Sequence, residues 1–333
     1  MSDLNTIIAV DAMGGDNAPM EIVKGAVEAS KEIDCKIALV GKSEAIEAEL
    51  DKYTYNKEKI TVVNATEVIE TCEVPTVAIR KKKDSSMVVG LNMVKKGEAA
   101  AFVSAGNTGA LLTGATVIIG RIPGVERPAL GTMLPTVRGG LSLLIDAGAN
   151  VDAKPNYLVQ FAKMGSVYVE NIFGIKNPKV GLINIGVEEE KGNALVKETY
   201  PLLKEAEGIN FAGNLEARDI PDGQVDVMVA DAFVGNVALK LMEGFGKGML
   251  QVIKKELMSD FMSKLGAVMA KGAFKRVKGY FDYADVGGAP FLGLKALVVK
   301  AHGNSDARAI KGAIKQCVSF IDKDIVNKIA EKL

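Results

Sequence analysis

Six short apolar runs each end in a small or polar residue accompanied by glycine. They read Asp11-Ala12-Met13-Gly14-Gly15-Asp16-Asn17, Ser104-Ala105-Gly106-Asn107-Thr108-Gly109, Asp146-Ala147-Gly148-Ala149-Asn150, Asn184-Ile185-Gly186, Asp231-Ala232-Phe233-Val234-Gly235-Asn236 and His302-Gly303-Asn304-Ser305-Asp306. Glycine at such a turn permits positive φ and lets a ligand approach the backbone, while Ser, Asn, Thr or Asp caps the next helix and leaves its amides facing outward. An anion is the natural occupant of such a place. One turn of this kind is ordinary punctuation between a strand and a helix. Six together imply a polar, glycine-lined cleft without naming what it holds.

Asp11 and Asp16 flank Gly14-Gly15, and neither is an obvious helix cap. Either they stabilise a turn by accepting from nearby amides, or one is a proton acceptor or the orienter of a basic partner. His302, the one histidine, is either a general acid or anion donor at the end of its strand or a turn residue. A single histidine limits Ser-His-Asp and His-metal schemes. Met13 to Ala18 does not fit GxGxxG, and neither GxxxxGK[ST] nor GxSxG occurs, so dinucleotide, nucleoside triphosphate and serine-elbow chemistry lack support. Cys35 and Cys317 have apolar surroundings, and Cys72 lies between Thr71 and Glu73 where acids disfavour a thiolate. Three cysteines without a CxxC pair suggest neither a zinc site nor a disulfide framework. No metal and no cofactor is expected.

Two basic regions stand out. Arg80-Lys81-Lys82-Lys83 precedes Asp84-Ser85-Ser86 and is either a solvated surface or a grip on phosphate or an acidic partner. Further on, Lys271, Lys275 and Arg276 follow Phe261, Leu265, Val268 and Met269, which make a helical stripe. Such a stripe is core, a subunit interface, or an amphipathic helix resting on an anionic membrane.

The elements that position these residues follow from periodicity. Apolar runs give strands at 6–11, 36–40, 60–64, 99–104, 141–146, 179–185, 225–231 and 294–301. Spacings of three and four residues give helices at 21–31, 86–96, 108–119, 155–173, 194–207, 234–257 and 306–325. This alternation predicts an α/β fold on a mainly parallel sheet, whose carboxyl edge gathers the six turns into one crevice. No linker or repeat divides the chain, so residues 1–333 are expected to form one compact catalytic unit, with any second lobe or protruding helical segment around 240–290. Lys plus Arg and Asp plus Glu both number 41, which argues against nucleic acid as a partner. Residues 1–15 lack signal-peptide character, and the longest weakly polar stretch, 109–119, falls far short of the roughly 20 residues that span a bilayer. A cytoplasmic protein is expected.

The opening Ile8-Ala9-Val10-Asp11-Ala12-Met13-Gly14-Gly15-Asp16-Asn17-Ala18-Pro19 closely resembles the signature of the PlsX family, the phosphate acyltransferases of bacterial phospholipid synthesis. The resemblance continues through Arg80 to Met87, Ser104 to Ala110, Asn184-Ile185-Gly186, Gly235-Asn236 and Ala301-His302-Gly303. It implies a three-layer α/β/α fold related to phosphotransacetylases and to the isocitrate dehydrogenase type, in a homodimer. It further implies transfer of a fatty acyl group from acyl carrier protein to inorganic phosphate, with the acyl phosphate passing to a membrane-bound glycerol-phosphate acyltransferase. Peripheral contact with the membrane would follow from that handover.

On this reading Gly14, Gly15, Asp16, Ser104, Gly106, Asn107, Thr108, Gly303, Asn304 and Ser305 hold phosphate or substrate. His302, Asp11, Asp231, Asn184 and Asn236 serve catalysis, His302 as the proton source for the leaving thiol and the asparagines as donors to the tetrahedral oxyanion. Arg80, Lys81, Lys82 and Lys83 attract the acidic carrier, and the stripe from Phe261 to Arg276 meets a membrane or a second subunit. The competing readings are a phosphotransacetylase acting on acyl coenzyme A and a non-catalytic scaffold at the membrane.

Overall fold

A computed structural model describes residues 6–281 and 287–333. In chain order its elements are β1 (Ile7–Asp11), α1 (Met20–Ser30), β2 (Lys36–Gly41), α2 (Ser43–Leu50), β3 (Ile60–Asn64), α3 (Pro75–Lys81), α4 (Ser86–Lys95), β4 (Ala101–Ser104), α5 (Thr108–Gly114), β5 (Ala129–Pro135), β6 (Leu141–Ile145) and α6 (Pro155–Phe173). There follow β7 (Lys179–Asn184), α7 (Ala194–Glu205), β8 (Asn210–Glu216), β9 (Val227–Val229), α8 (Ala232–Leu257), α9 (Phe261–Met269), α10 (Lys271–Phe281), β10 (Ala289–Leu292), β11 (Leu297–Lys300), α11 (Ala307–Asp322) and α12 (Ile325–Lys332).

Every expected strand and helix has a counterpart, and the differences have local causes. β5 and β10, which carry Gly131 and Pro290 inside them, answer to no expected strand, yet they are the two strands that reverse the sheet direction. β8 pairs with β7 through a register shift that skips Ala212, so its apolar alternation is broken. The strand expected at 225–231 shortens to β9 because Asp231 accepts from the Val234 amide and starts α8 two residues early. The helix expected at 108–119 passes into a π-helical turn at Ala115–Ile119. The one expected at 306–325 stops at Asp322, where Asp324 takes φ +49° before α12.

All strands share one sheet in the order β3-β2-β1-β4-β11-β10-β5-β6-β9-β7-β8. The set β3, β2, β1, β4 and β11 is internally parallel, as is the set β6, β9, β7 and β8. Between them the pairs β11–β10, β10–β5 and β5–β6 are antiparallel. Three reversals leave the two parallel sets with opposed directions. The six turns therefore fall into two groups of three, after β1, β4 and β11 and after β6, β7 and β9, instead of lining one carboxyl edge.

Both sheet faces are covered, giving three layers. Successive residues of a strand point to opposite faces. Ile8, Val10, Val103 and Val299 enter a core with residues of α1, α6 and α11, while Ala9, Phe102 and Val298 enter a second core with residues of α4 and α5. α8 departs from this layering: only Ala232, Gly235 and Leu239 are buried in it, and no residue of α9 is.

Candidate active site

The first group of turns closes around Asp11. Its carboxylate is 2% exposed, accepts from the Ser104 hydroxyl at 2.6 Å through Oδ2 and from the Met13 amide at 3.2 Å through Oδ1. Burial raises its pKa from the ordinary value, against hydrogen bonds from Ser104, Ser86 and the Met13 and Gly14 amides. Ser104 in turn accepts from the Gly106 amide at 3.1 Å. Its hydroxyl hydrogen is therefore directed at Asp11 and away from any ligand.

The turn after β1 is stitched to the turn after β11. The Asp16 amide donates to the Gly303 carbonyl at 2.8 Å, and Asn17 Nδ2 donates to the Asn304 and Ser305 carbonyls at 3.1 and 3.2 Å. Gly15 sits between them at φ +100°, and a Cβ there would lie 2.9 Å from both the Ala105 Cβ and the Gly303 carbonyl oxygen. Only glycine lets the three turns approach this closely. Asn107 spends its side chain inside the scaffold, accepting from the Ala110 amide and donating to the Glu70, Thr71 and Glu73 carbonyls. Asp16, His302 and Asn304 are exposed, Thr108, Gly106 and Gly303 half-buried, and Gly14 and Ser305 buried.

Two lysines that the sequence reading passed over complete the place. Lys300, the last residue of β11, is 8% exposed and donates to the Ala105 carbonyl at 3.3 Å and to the Ala301 carbonyl. Burial lowers its pKa to about 8; Asp11 and Asp16 oppose the shift and Lys240 adds to it. Lys240 projects from α8, with Nζ 3.2 Å from His302 Nε2. Both ring nitrogens face a donor, Nε2 the Lys240 ammonium and Nδ1 the Asn304 amide at 3.4 Å. A lysine inside an apolar strand was the available signal for Lys300; nothing in the sequence pointed Lys240 at the cleft.

The second group is a scaffold of its own. Asp146 is fully buried; its Oδ1 accepts from the Leu130, Gly148 and Ala149 amides and its Oδ2 from the Asn150 amide and side chain. Burial raises its pKa against those hydrogen bonds. The Asn150 carbonyl accepts from the Ala232 amide, and a Cβ on Gly235 would overlap the Asp146 carbonyl oxygen, so the first turn of α8 is seated on this knot. Asp231 caps α8, accepting from Val234 at 2.9 Å. Asn184 donates to the Lys191 carbonyl at 3.1 Å and accepts from the Ile185 amide. Asn236 is exposed on α8, one turn before Lys240.

The two basic regions fall at α3 and along α9 and α10. Arg80 and Lys81 are exposed on α3, whereas Lys82 pairs with Glu73 at 2.5 Å and the Val68 carbonyl, and Lys83 reaches the Ile79 carbonyl. Phe261, Leu265, Val268 and Met269 are exposed on α9, as are Lys271, Lys275 and Arg276 on α10. Among the described residues no helix is long and apolar enough to cross a membrane, and no cluster of three or more potential metal ligands occurs.

A family model described as fatty acid synthesis protein matches residues 6–328. A phosphate acyltransferase from Clostridium kluyveri is 52% identical over 323 residues, 97% of this chain and 96% of that protein. One from Clostridium beijerinckii is 52% identical over 324 residues, 97% of each. In three dimensions, a phosphotransacetylase from Streptococcus pyogenes superposes with a TM-score of 0.65 at 18% identity, covering 95% of this chain and 93% of the other. A 4-hydroxythreonine-4-phosphate dehydrogenase from Klebsiella pneumoniae does so at 0.55 and 13% identity, over 94% and 98%. At these identities the two likenesses establish a shared fold and nothing about substrate.

Proposed function

We propose that this chain, which belongs to the fatty acid synthesis protein family, transfers a fatty acyl group from the thioester of acyl carrier protein to inorganic phosphate and releases an acyl phosphate for phospholipid synthesis. Half-identity to phosphate acyltransferases over nearly the whole length is the observation that carries this reading, and it makes the chain an acyltransferase of lipid synthesis. The cleft chemistry supports the finer steps. A phosphate oxygen attacks the thioester carbonyl carbon, a C–O bond forms, and the tetrahedral oxyanion collapses as the C–S bond breaks and the thiolate takes a proton. Phosphate is already an oxyanion, so positioning and charge carry the rate. Cys35 and Cys317 lie in the core, where burial pushes the Cys317 thiol well up, and the exposed Cys72 is followed by the acid Glu73; this favours direct attack over an acyl-cysteine.

Around that step we place the remaining partners. Arg80 and Lys81 attract the acidic carrier; exposed apolar residues of α8 to α10 meet a second subunit and the surface of the membrane. From there a membrane-bound glycerol-phosphate acyltransferase takes the product, and the enzyme itself works in the cytoplasm. The test is consumption of acyl thioester with and without phosphate, on carrier protein and on coenzyme A. Phosphate-dependent loss of the carrier thioester, with acyl phosphate formed, supports the reading. Preference for coenzyme A makes the chain a phosphotransacetylase, and lipid binding without thioester loss makes it a scaffold.

A further inference from the structure

Lys300 is an unusual residue for its place. β11 lies between β4 and β10, where both faces are covered and apolar side chains are the rule. A lysine buried there has given up its water, and two neutral carbonyls recover only part of that loss. Those carbonyls belong to Ala105 and Ala301, at the two turns that carry Gly106 and Gly303. Two of the three ammonium hydrogens are thereby engaged. The charged groups around it come from every side: Asp11 at the end of β1, Asp16 in the turn that follows, and Lys240 on α8, itself against His302. Lys240 is itself paired with Glu243 at 2.7 Å, whereas Lys300 hydrogen-bonds to carbonyls, so an arriving anion meets a cation whose charge is not committed to a single carboxylate.

Resting on the reading that the cleft takes inorganic phosphate, we propose that Lys300 is a positioning residue for that acceptor: its ammonium supplies, from beneath the Ala105 and Ala301 turns, the charge against which the phosphate oxygens are held. Phosphate binding and protonation of Lys300 are then one coupled equilibrium. An anion favours the ammonium, so binding above pH about 8 takes up a proton, and phosphate affinity falls as pH rises through that value, by at most about tenfold per pH unit. Asp11 and Asp16 extend the protonated range upward, and Lys240 shortens it.

The experiment compares the wild-type enzyme with Lys300→Met and Lys300→Arg, reading KM for phosphate and kcat on either side of pH 8 and, by calorimetry in two buffers, proton uptake on binding inorganic phosphate. Wild type should show KM rising above pH 8 with little change in kcat. Lys300→Met should raise the phosphate KM about tenfold or more and remove both the rise and the proton uptake. Lys300→Arg should recover much of the affinity and keep KM flat, since a guanidinium stays charged. If Lys300→Met does not fold, Lys240→Met decides: with the like charge gone, the rise in KM should move to higher pH. Equal pH profiles in wild type and Lys300→Met, or a rise that stays in place in Lys240→Met, overturn the inference while phosphate-dependent turnover stands. Thioester loss that ignores phosphate in wild type removes the acceptor reading and the inference together.

Discussion

The Ser104 hydroxyl donates to Asp11 Oδ2 at 2.6 Å while it accepts from the Gly106 amide at 3.1 Å. One buried side chain thus ties the end of β1 to the turn after β4, and the residue that looked from its position like a ligand donor is the pin that sets the shape of the cleft. Asn107, Asn184 and Asp231 follow the same pattern, each closing its own loop or helix.

The Asp11 carboxylate has a pKa raised in the folded state, so the stability linked to it is full below its ordinary value of 3.8 and declines as pH rises through the folded value. Asn at this position does not ionise. Unfolding by urea at several pH values should therefore show Asp11→Asn gaining on wild type from acid toward neutral pH. Ser104→Ala should move the other way, because that hydroxyl favours the ionised carboxylate: its cost should grow with pH to about 2 kcal/mol at neutrality. A pH-independent difference for both variants contradicts the pairing.

Asp146 holds the second group of turns through two oxygens of unequal duty, three amides on Oδ1 and the Asn150 groups on Oδ2. An asparagine can keep the first set and loses the second; an alanine loses both. Asp146→Ala should destabilise by about 4 kcal/mol and Asp146→Asn by about half of that. Equal losses in thermal or urea unfolding would show that the two oxygens do not divide the work in this way.

Much of the scaffold was legible because strand ends carry their own punctuation. The run from Ile7 to Asp11 stops at a turn residue, and the apolar spacing of α6 and α11 names their buried faces. What stayed hidden depends on the directions of side chains and strands. Periodicity does not distinguish Asn107 pointing into its own scaffold from Asn107 pointing at a ligand, and it read Lys300 as part of a strand without its meaning. The single crevice expected from six turns became two groups because β5 and β10, broken by Gly131 and Pro290, reverse the sheet. The Lys240–His302 contact lies 62 residues apart in the chain and leaves no local trace.

The basic run near residue 80 is unequal in the fold, and its effect on carrier affinity should be unequal too. Lys82 is held by Glu73 and the Val68 carbonyl, whereas Arg80 and Lys81 are exposed on α3. Arg80→Glu with Lys81→Glu should raise KM for acyl carrier protein several-fold at low salt, with the effect fading as salt screens exposed charges. Lys82→Ala should do less than the double reversal. An effect of the same size at high and low salt argues that the run acts through folding and not through attraction.

Two apolar surfaces on the long helical segment should separate in function. On α8, Phe233, Val237, Leu241 and Phe245 recur every fourth residue and are all exposed, a continuous stripe of the kind that a second copy covers. On α9, Phe261, Leu265 and Val268 share one face, 78%, 48% and 71% exposed, and α10 adds Lys271, Lys275 and Arg276 beside them. Apolar bulk next to exposed cations suits an anionic lipid surface better than another protein of net charge zero. Leu241→Ser with Phe245→Ser should therefore shift the sedimenting mass toward monomer. Phe261→Ser with Leu265→Ser should leave the sedimenting mass unchanged and lose co-sedimentation with vesicles containing anionic lipid, and raising salt should weaken the wild-type association with vesicles. Should the second pair dissociate the subunits and leave vesicle binding intact, α9 is the subunit interface and the lipid contact lies elsewhere.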